Sequence, residues 1–268
     1  MTALGAVFRP QLPPERLKSV ARAAEEAGLE ELWLWEDCFF EGGIAAQAAA
    51  LAWTERLRVG VGLLPVPLRN VALTAMEAAT LYRLFPGRAE LAVGHGVQSW
   101  MAQTGSRVES PVTLLREHLD ALRALLRGER VTCTGRYVRL DDVALDWPPA
   151  TAPVISAGGR GPRTLRLSGE AADGTVLDAD TPLEEVRRAR VLVDEGRAAA
   201  DRTDPHKLTV YLAVDGHAAI LDPATVAKSV RETADAGAHT VVLQPDADEP
   251  DPEGFVRRVA QEVRPLVP

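Results

Sequence analysis

The sequence predicts an α/β chain closed into a (β/α)8 TIM barrel, and three observations predict it. Short apolar runs alternate eight times with helix-period segments. The 268 residues match the roughly 250 that eight βα units occupy. No linker or low-complexity stretch divides the chain, so residues 1–268 read as one barrel domain. A hydrophobic share of 46% with 25% charged residues is the profile of a globular chain able to bury a large core. An open, doubly wound sheet has the same alternation and is the structural alternative, because alternation alone does not show closure.

The first apolar run is Leu4 to Phe8, followed by PPERLKSVARAAEEAGL, a helix with Pro near its start and Gly28 at its end. ELWLW comes next, with Trp33 and Trp35 on one face and Leu32 and Leu34 on the other, all read as packing. An Ala-rich helix spans Ile44 to Trp53. RLRVGVGLL then leads to VALTAMEAATLYRLF, which Pro86-Gly87 closes. AELAVG precedes SPVTLLREHLDALRALLRG, where Ser110 and Pro111 form a cap and first-turn pair. The remaining strands are PVISA, GTVLDA, LTVYLAV and HTVVLQ. Their helices run from Pro162 to Ser168, Leu183 to Ala200, Ala224 to Ala236 and Pro252 to Val263. Between the fourth helix and fifth strand, VTCT-G-RYVRL reads as a hairpin, and as an αβ connection it is expected to cap the barrel floor.

The charge pattern narrows the partners. A net charge of −8 argues against nucleic acid, which needs a basic face. The N-terminus has no charged segment followed by an apolar one, and no apolar run reaches membrane-spanning length, so the expected location is cytoplasmic and off the membrane. Cys38 and Cys133 form no CxxC pair, and no disulfide framework is expected.

In this fold the site is built by the loops at the C-terminal ends of the strands. After strand five, Ala157-Gly158-Gly159-Arg160-Gly161 leads into a helix with Pro162 at its first position. Glycines let backbone N–H groups approach an anion, the helix terminus adds partial positive charge, and Arg160 completes a phosphate site; a merely tight turn is the alternative. After strand four, Gly94-His95-Gly96 brings backbone against a flat ligand, and His95 is an acid or base candidate or a structural histidine. After strand two, Glu36 and Asp37 are adjacent, so only one is expected to face the mouth. Phe39, Phe40, Trp100 and Met101 are candidates for an apolar lining.

Other chemistries lack their residues. His95, His118, His206, His217 and His239 show no metal-ligand spacing, so no metal is expected. The lysines, Lys18, Lys207 and Lys228, do not fall at a strand's C-terminal end, which disfavours a Schiff base. No G-x-S-x-G elbow is present. A barrel with a phosphate loop and none of these devices points to a bound cofactor that carries the chemistry.

The stretch TERLRVGVGLLPVPLRNVALTAMEAATLYRLFPGRAELAVGHG resembles the central signature of the bacterial-luciferase-like flavin- and F420-dependent oxidoreductases. ARAAEEAGLEELWLWED, LREHLDALRALLRGERVTCTGRYVRL and PVISAGGRGPRTLRLSGEAADGTVL resemble it too, so the likeness covers most of residues 1–180. It implies a barrel that binds F420, or alternatively FMN, at its mouth and oxidises or reduces a small molecule, often as a homodimer; here the second and third helices offer apolar faces, which core packing explains equally well. It implies a non-prolyl cis peptide near Gly62-Leu63 against the ring, phosphate contacts at Ala157, Gly158, Gly159 and Arg160, and a second wall from His95 and Gly96 through Gln98. Two departures stand out. Where many F420-dependent relatives have Asp-His after strand two, this chain has Glu36-Asp37, and Val97 replaces a glutamate found in some relatives. With the usual histidine missing, Asp37 takes its position toward cofactor, and Glu36 and His95 become the proton-transfer candidates. An FMN monooxygenase and a barrel that has lost catalysis are the competing readings.

Overall fold

Both faces of the predicted strands are apolar, as parallel strands covered by helices require. The computed structural model describes residues 2–179, 181–214 and 222–267. In chain order its elements are β1 (Ala3–Val7), α1 (Leu17–Ala27), β2 (Glu31–Leu34), α2 (Gly43–Ala52), β3 (Arg58–Pro65), α3 (Val71–Leu84), β4 (Ala89–Gly94), α4 (Gln98–Gln103) and α5 (Pro111–Leu126). There follow β5 (Val131–Thr134), β6 (Arg139–Val143), β7 (Ile155–Gly158), α6 (Pro162–Ala171), β8 (Gly174–Leu177), α7 (Leu183–Ala199), β9 (Lys207–Ala213), α8 (Pro223–Asp235), β10 (Thr240–Gln244) and α9 (Pro252–Arg258).

Eight parallel strands close in the order β1-β10-β9-β8-β7-β4-β3-β2. The β1–β10 pairing, from Ala3↔Thr240 to Ala6↔Leu243, completes the ring, so the open-sheet alternative is wrong. Among the described residues, no helix is long and apolar enough to cross a membrane.

Strand alternation decides what fills the barrel. On β2, Glu31 and Trp33 point inward, and Trp35 continues the same row toward the mouth. Glu31 is fully buried at the floor, where it accepts from Trp33 Nε1 (2.8 Å) and Arg58 Nη2 (2.6 Å). Lys207 Nζ lies 3.4 Å from Glu31 and 3.2 Å from Glu90, so the buried charge is paired. Above that layer Trp33 meets Tyr211 edge-on, with centroids 5.9 Å apart.

Three sequence expectations need correction. The β5–β6 hairpin does not cap the floor: its turn stands beside the first half of α5. There the Glu117 carboxylate accepts the N–H groups of Arg136, Tyr137 and Val138 (2.8, 2.8 and 2.9 Å). The Tyr137 hydroxyl accepts from Ser110 N, which fixes the hairpin to the side wall. Ser110 does precede Pro111 of α5, but its side chain bonds Thr113 Oγ1 (2.8 Å) and caps no backbone N–H. The segment after β4, read as loop, contains the short helix α4.

Candidate active site

The loops at the strands' C-terminal ends surround a cavity of about 570 Å³, within the range of small-molecule sites. Its floor is the top of the barrel core. The Gly62–Leu63 peptide is cis. A Cβ on Gly94 would lie 2.6 Å from Leu63 Cδ2, and one on Gly158 would collide with the same atom. Glycine at both positions therefore lets Leu63 lie across the mouth between β4 and β7. The Tyr211 hydroxyl donates to Gly62 O (3.3 Å), and its ring stands edge-on to Trp35 at 5.7 Å. Burial pushes the Tyr211 phenol far above its ordinary range, so it stays neutral.

On one wall, Gly158, Gly159 and Arg160 line the cavity at the start of α6. No side chain caps α6, and its first residue, Pro162, has no N–H that needs a partner. Gly159 has no room for a side chain, because a Cβ would lie 2.5 Å from Thr164 Cγ2. Thr164 Oγ1 in turn shares a hydrogen bond with His95 Nε2 (2.9 Å). Burial lowers the His95 pKa, which keeps the ring neutral at physiological pH. Arg160 pairs with Asp178 of the next loop, so an incoming anion would share that guanidinium with a carboxylate. Gly96, at φ 64°, and Val97 complete this side with Trp100.

The opposite wall carries the acids. Glu36 and Asp37 both line the cavity, but their surroundings differ. Glu36 is tied down by Arg69 through Nε (3.0 Å) and Nη2 (2.7 Å) and by the N–H of Gly43 at the start of α2 (2.8 Å). Arg69 is held from its other side by Glu77 (2.5 Å). With both carboxylate oxygens engaged, Glu36 anchors the β2–α2 loop, and the structure opposes its assignment as proton donor. Asp37 has no such clamp. Burial raises its pKa, and the charge of Arg9 acts in the opposite direction.

Two cofactor-contact expectations are also corrected. Ala157 is 1% exposed and faces the helix layer, because on a strand it points away from the side shared by Ser156 and Gly158. Gln98 opens α4 and spends its amide on the carbonyls of His95 (3.2 Å) and Gly96 (3.4 Å), outside the cavity. Of the apolar candidates Trp100 lines the cavity, Met101 is fully buried, and Phe39 and Phe40 are exposed and outside the lining.

Arg9, Gln11, Trp35, Asp178, Tyr211 and Gln244 also line the cavity and were not picked out from sequence. Applying the strand-end rule to β1, β8 and β10 as well would have found Arg9, Asp178 and Gln244. Tyr211 lies inside β9, where its inward direction depends on register. Among the described residues no group of three or more His, Cys, Asp or Glu is placed to hold a metal. His217 lies outside the described residues.

Comparison with known proteins accords with this architecture. The chain is 32% identical over 209 residues to an F420-dependent glucose-6-phosphate dehydrogenase of Nocardia farcinica, covering 72% of this chain and 62% of that one. It is 29% identical over 199 residues to a 5,10-methylenetetrahydromethanopterin reductase of Methanolobus tindarius, covering 74% of this chain and 60% of the relative. The chain thus spans about 60% of the length of the curated relatives it matches. The structure of the coenzyme F420-dependent tetrahydromethanopterin reductase of Methanopyrus kandleri superposes with a TM-score of 0.86 at 20% identity, covering 100% of this chain and 99% of that one, which shows the shared fold. The profile of the luciferase-like monooxygenases matches residues 3–249, and the chain belongs to that family.

Proposed function

We propose that this chain is an F420-dependent oxidoreductase acting on a small organic molecule at the barrel mouth. The observation that carries the reading is the uncapped start of α6, opening with Gly158, Gly159 and Arg160 into a cavity floored by Leu63, Trp35 and Tyr211. These residues fit a phosphate-bearing, flat cofactor: Gly158 and Gly159 bring bare backbone and Arg160 a cation to one wall, and the floor is apolar and aromatic. The curated relative named for its dependence on F420 supports the choice of F420. When bound, F420 supplies a two-electron hydride carrier at its C5.

The chain's own residues do the rest. The backbone at Gly159 and Gly161 and the Arg160 guanidinium would hold the phosphate, and Leu63 and Gly96 would face the ring. Neutral His95, fixed by Thr164, orients the wall beside it. Proton exchange with the substrate falls to Asp37, whose burial moves its pKa toward neutrality. If its carboxylate accepts a proton during substrate oxidation, the rate falls as pH drops through that raised pKa. Asp37→Asn should then remove this limb of the profile.

FMN is the second reading, because the family is described by its monooxygenases and the same cradle accepts either phosphate. Separate fluorescence titrations with F420 and FMN test the two. F420 binding that Arg160→Gln weakens supports the proposal. Binding of FMN alone transfers it to oxygen-dependent chemistry, and binding of neither refutes both. A homodimer is proposed on α3, where Leu73, Met76 and Leu84 present an exposed apolar row beside Trp147.

A further inference from the structure

A second cavity, of about 500 Å³, lies at the opposite end of the barrel and shares no lining residue with the mouth. Ala3, Glu30, Arg58 and Gly87 place it where β1, β2 and β3 begin and where the chain turns into β4, four strands that are neighbours in the ring. Arg56 and Arg264 also line it. Three guanidinium groups thus face one carboxylate, an excess of two positive charges in a chain whose net charge is −8.

The nearby acids are already engaged. Glu30 accepts from Leu4 N through Oε2 (2.7 Å) and from Arg264 Nε through Oε1 (2.8 Å). Glu31, fully buried behind Arg58, accepts from its Nη2 (2.6 Å) and shares its charge with Lys207. Glu25, whose charge reaches Arg56, is turned toward the N–H groups of Glu55, Arg56 and Leu57 (2.7, 2.5 and 3.2 Å). These bonds, with that of Arg264 Nη1 to Val267 O (2.6 Å), hold two of the three guanidinium groups in fixed planes. Arg58 Nη1 and Arg264 Nη2 keep no hydrogen-bond partner, and neither is among the buried polar atoms, so both remain open to solvent. Arg56 is exposed, and its guanidinium has no hydrogen-bond or ion-pair partner among the described residues.

We propose that this floor pocket is a binding site for the phosphate group of a small molecule, as a free ion or an ester. Charge and oxygen count select the class. A carboxylate has two oxygens, which a single arginine fork satisfies, whereas three separate N–H edges call for three acceptor oxygens on one centre. The excess of two charges in the lining matches a phosphate dianion. Fixing Arg58 and Arg264 beforehand lowers the ordering cost of binding. The size of the cavity suits a small molecule, and the acidic chain around it disfavours a nucleic acid. The site is independent of the cofactor reading, because Gly158, Gly159 and Arg160 lie at the other end of the barrel.

Calorimetric titration with inorganic phosphate and glycerol phosphate, at an ionic strength fixed with chloride, tests the proposal. Succinate is the two-carboxylate control. The full-length chain carries Arg160→Gln throughout, so that the phosphate loop at the mouth contributes little. This chain should bind both phosphates saturably and succinate at least about ten-fold more weakly. Adding Arg56→Gln, a change at an exposed side chain, should lower phosphate affinity about ten-fold, the worth of one charge-assisted hydrogen bond. Arg264→Gln should weaken it independently, with melting curves confirming that each variant is folded. Affinity for glycerol phosphate should rise as pH increases through about 6, where the ester becomes a dianion while the guanidinium groups stay charged. No saturable binding, binding that survives Arg56→Gln unchanged, or succinate bound as tightly as phosphate would each overturn the proposal. Binding by wild type that Arg160→Gln abolishes would overturn it as well, by placing the phosphate at the mouth.

Discussion

Replacing Glu36 by Gln takes one charge from a pair whose side chains are only 13% and 15% exposed. Breaking a buried ion pair costs about 3–5 kcal/mol when the remaining charge is stranded. Here Arg69 keeps Glu77 at 2.5 Å, and the amide oxygen of the substituted side chain still offers an acceptor to the Gly43 N–H. The net cost should therefore be near 2 kcal/mol. For a chain of this size that lowers Tm by roughly 4–8 °C. Thermal melting of Glu36→Gln, Arg69→Met and the double variant measures it, and the double variant should cost less than the sum because the residues share one interaction. The pH profile of F420-coupled turnover should keep its shape, since the proposed function gives the proton to Asp37. An unchanged Tm with abolished turnover would refute this reasoning and restore Glu36 as a catalytic acid.

His206 makes a pH-dependent contribution to stability. Burial and then Arg197, Arg202 and Arg190 lower its pKa to about 4, and its Nε2 shares a 2.8 Å hydrogen bond with Thr175 Oγ1. Because the folded pKa lies below the unfolded value, the unfolded chain alone takes up a proton as pH falls below about 6.5, so stability declines down to about pH 4 and then levels off. Denaturant titrations across that window should show about 3 kcal/mol more loss for wild type than for His206→Gln; parallel curves would contradict this. Gly159→Ala sets a Cβ 2.5 Å from Thr164 Cγ2 and displaces Thr164 from His95, disturbing the wall beside Arg160, so cofactor affinity should fall at least about ten-fold; unchanged affinity would place the phosphate elsewhere. Met76→Asp puts a charge in the exposed row of α3, and sedimentation should show it shifting a dimer toward monomer; a wild type that sediments as a monomer removes the dimer proposal.

Much of this protein is legible in one dimension. Short apolar runs and period-3.6 patterns located the barrel strands and their helices, because a strand covered on both faces is apolar throughout and a helix shows which side is covered. The glycines around Leu63 and at Gly159 were visible as glycines, and the strand-end rule carried them to the mouth. The same rule reached Glu36 and Asp37 without separating their roles. That depended on Arg69, 33 residues later in the chain, arriving within 3.0 Å of Glu36. The hairpin's place was equally hidden, since Glu117 had to collect three N–H groups from a distant turn.

By itself, then, the sequence determined the number and order of the βα units and the loops that form the mouth. Those features follow from local periodicity and turn chemistry, which neighbouring residues settle among themselves. Only the tertiary structure decided that the sheet closes, that Tyr211 and Trp35 share the floor, that Asp37 is the unclamped acid, and that Arg9 lies over Trp35 in the cavity wall. These are properties of long-range pairings: a side chain's protonation and hydrogen bonds depend on groups brought beside it by closure of the barrel, and no local pattern encodes which groups those are.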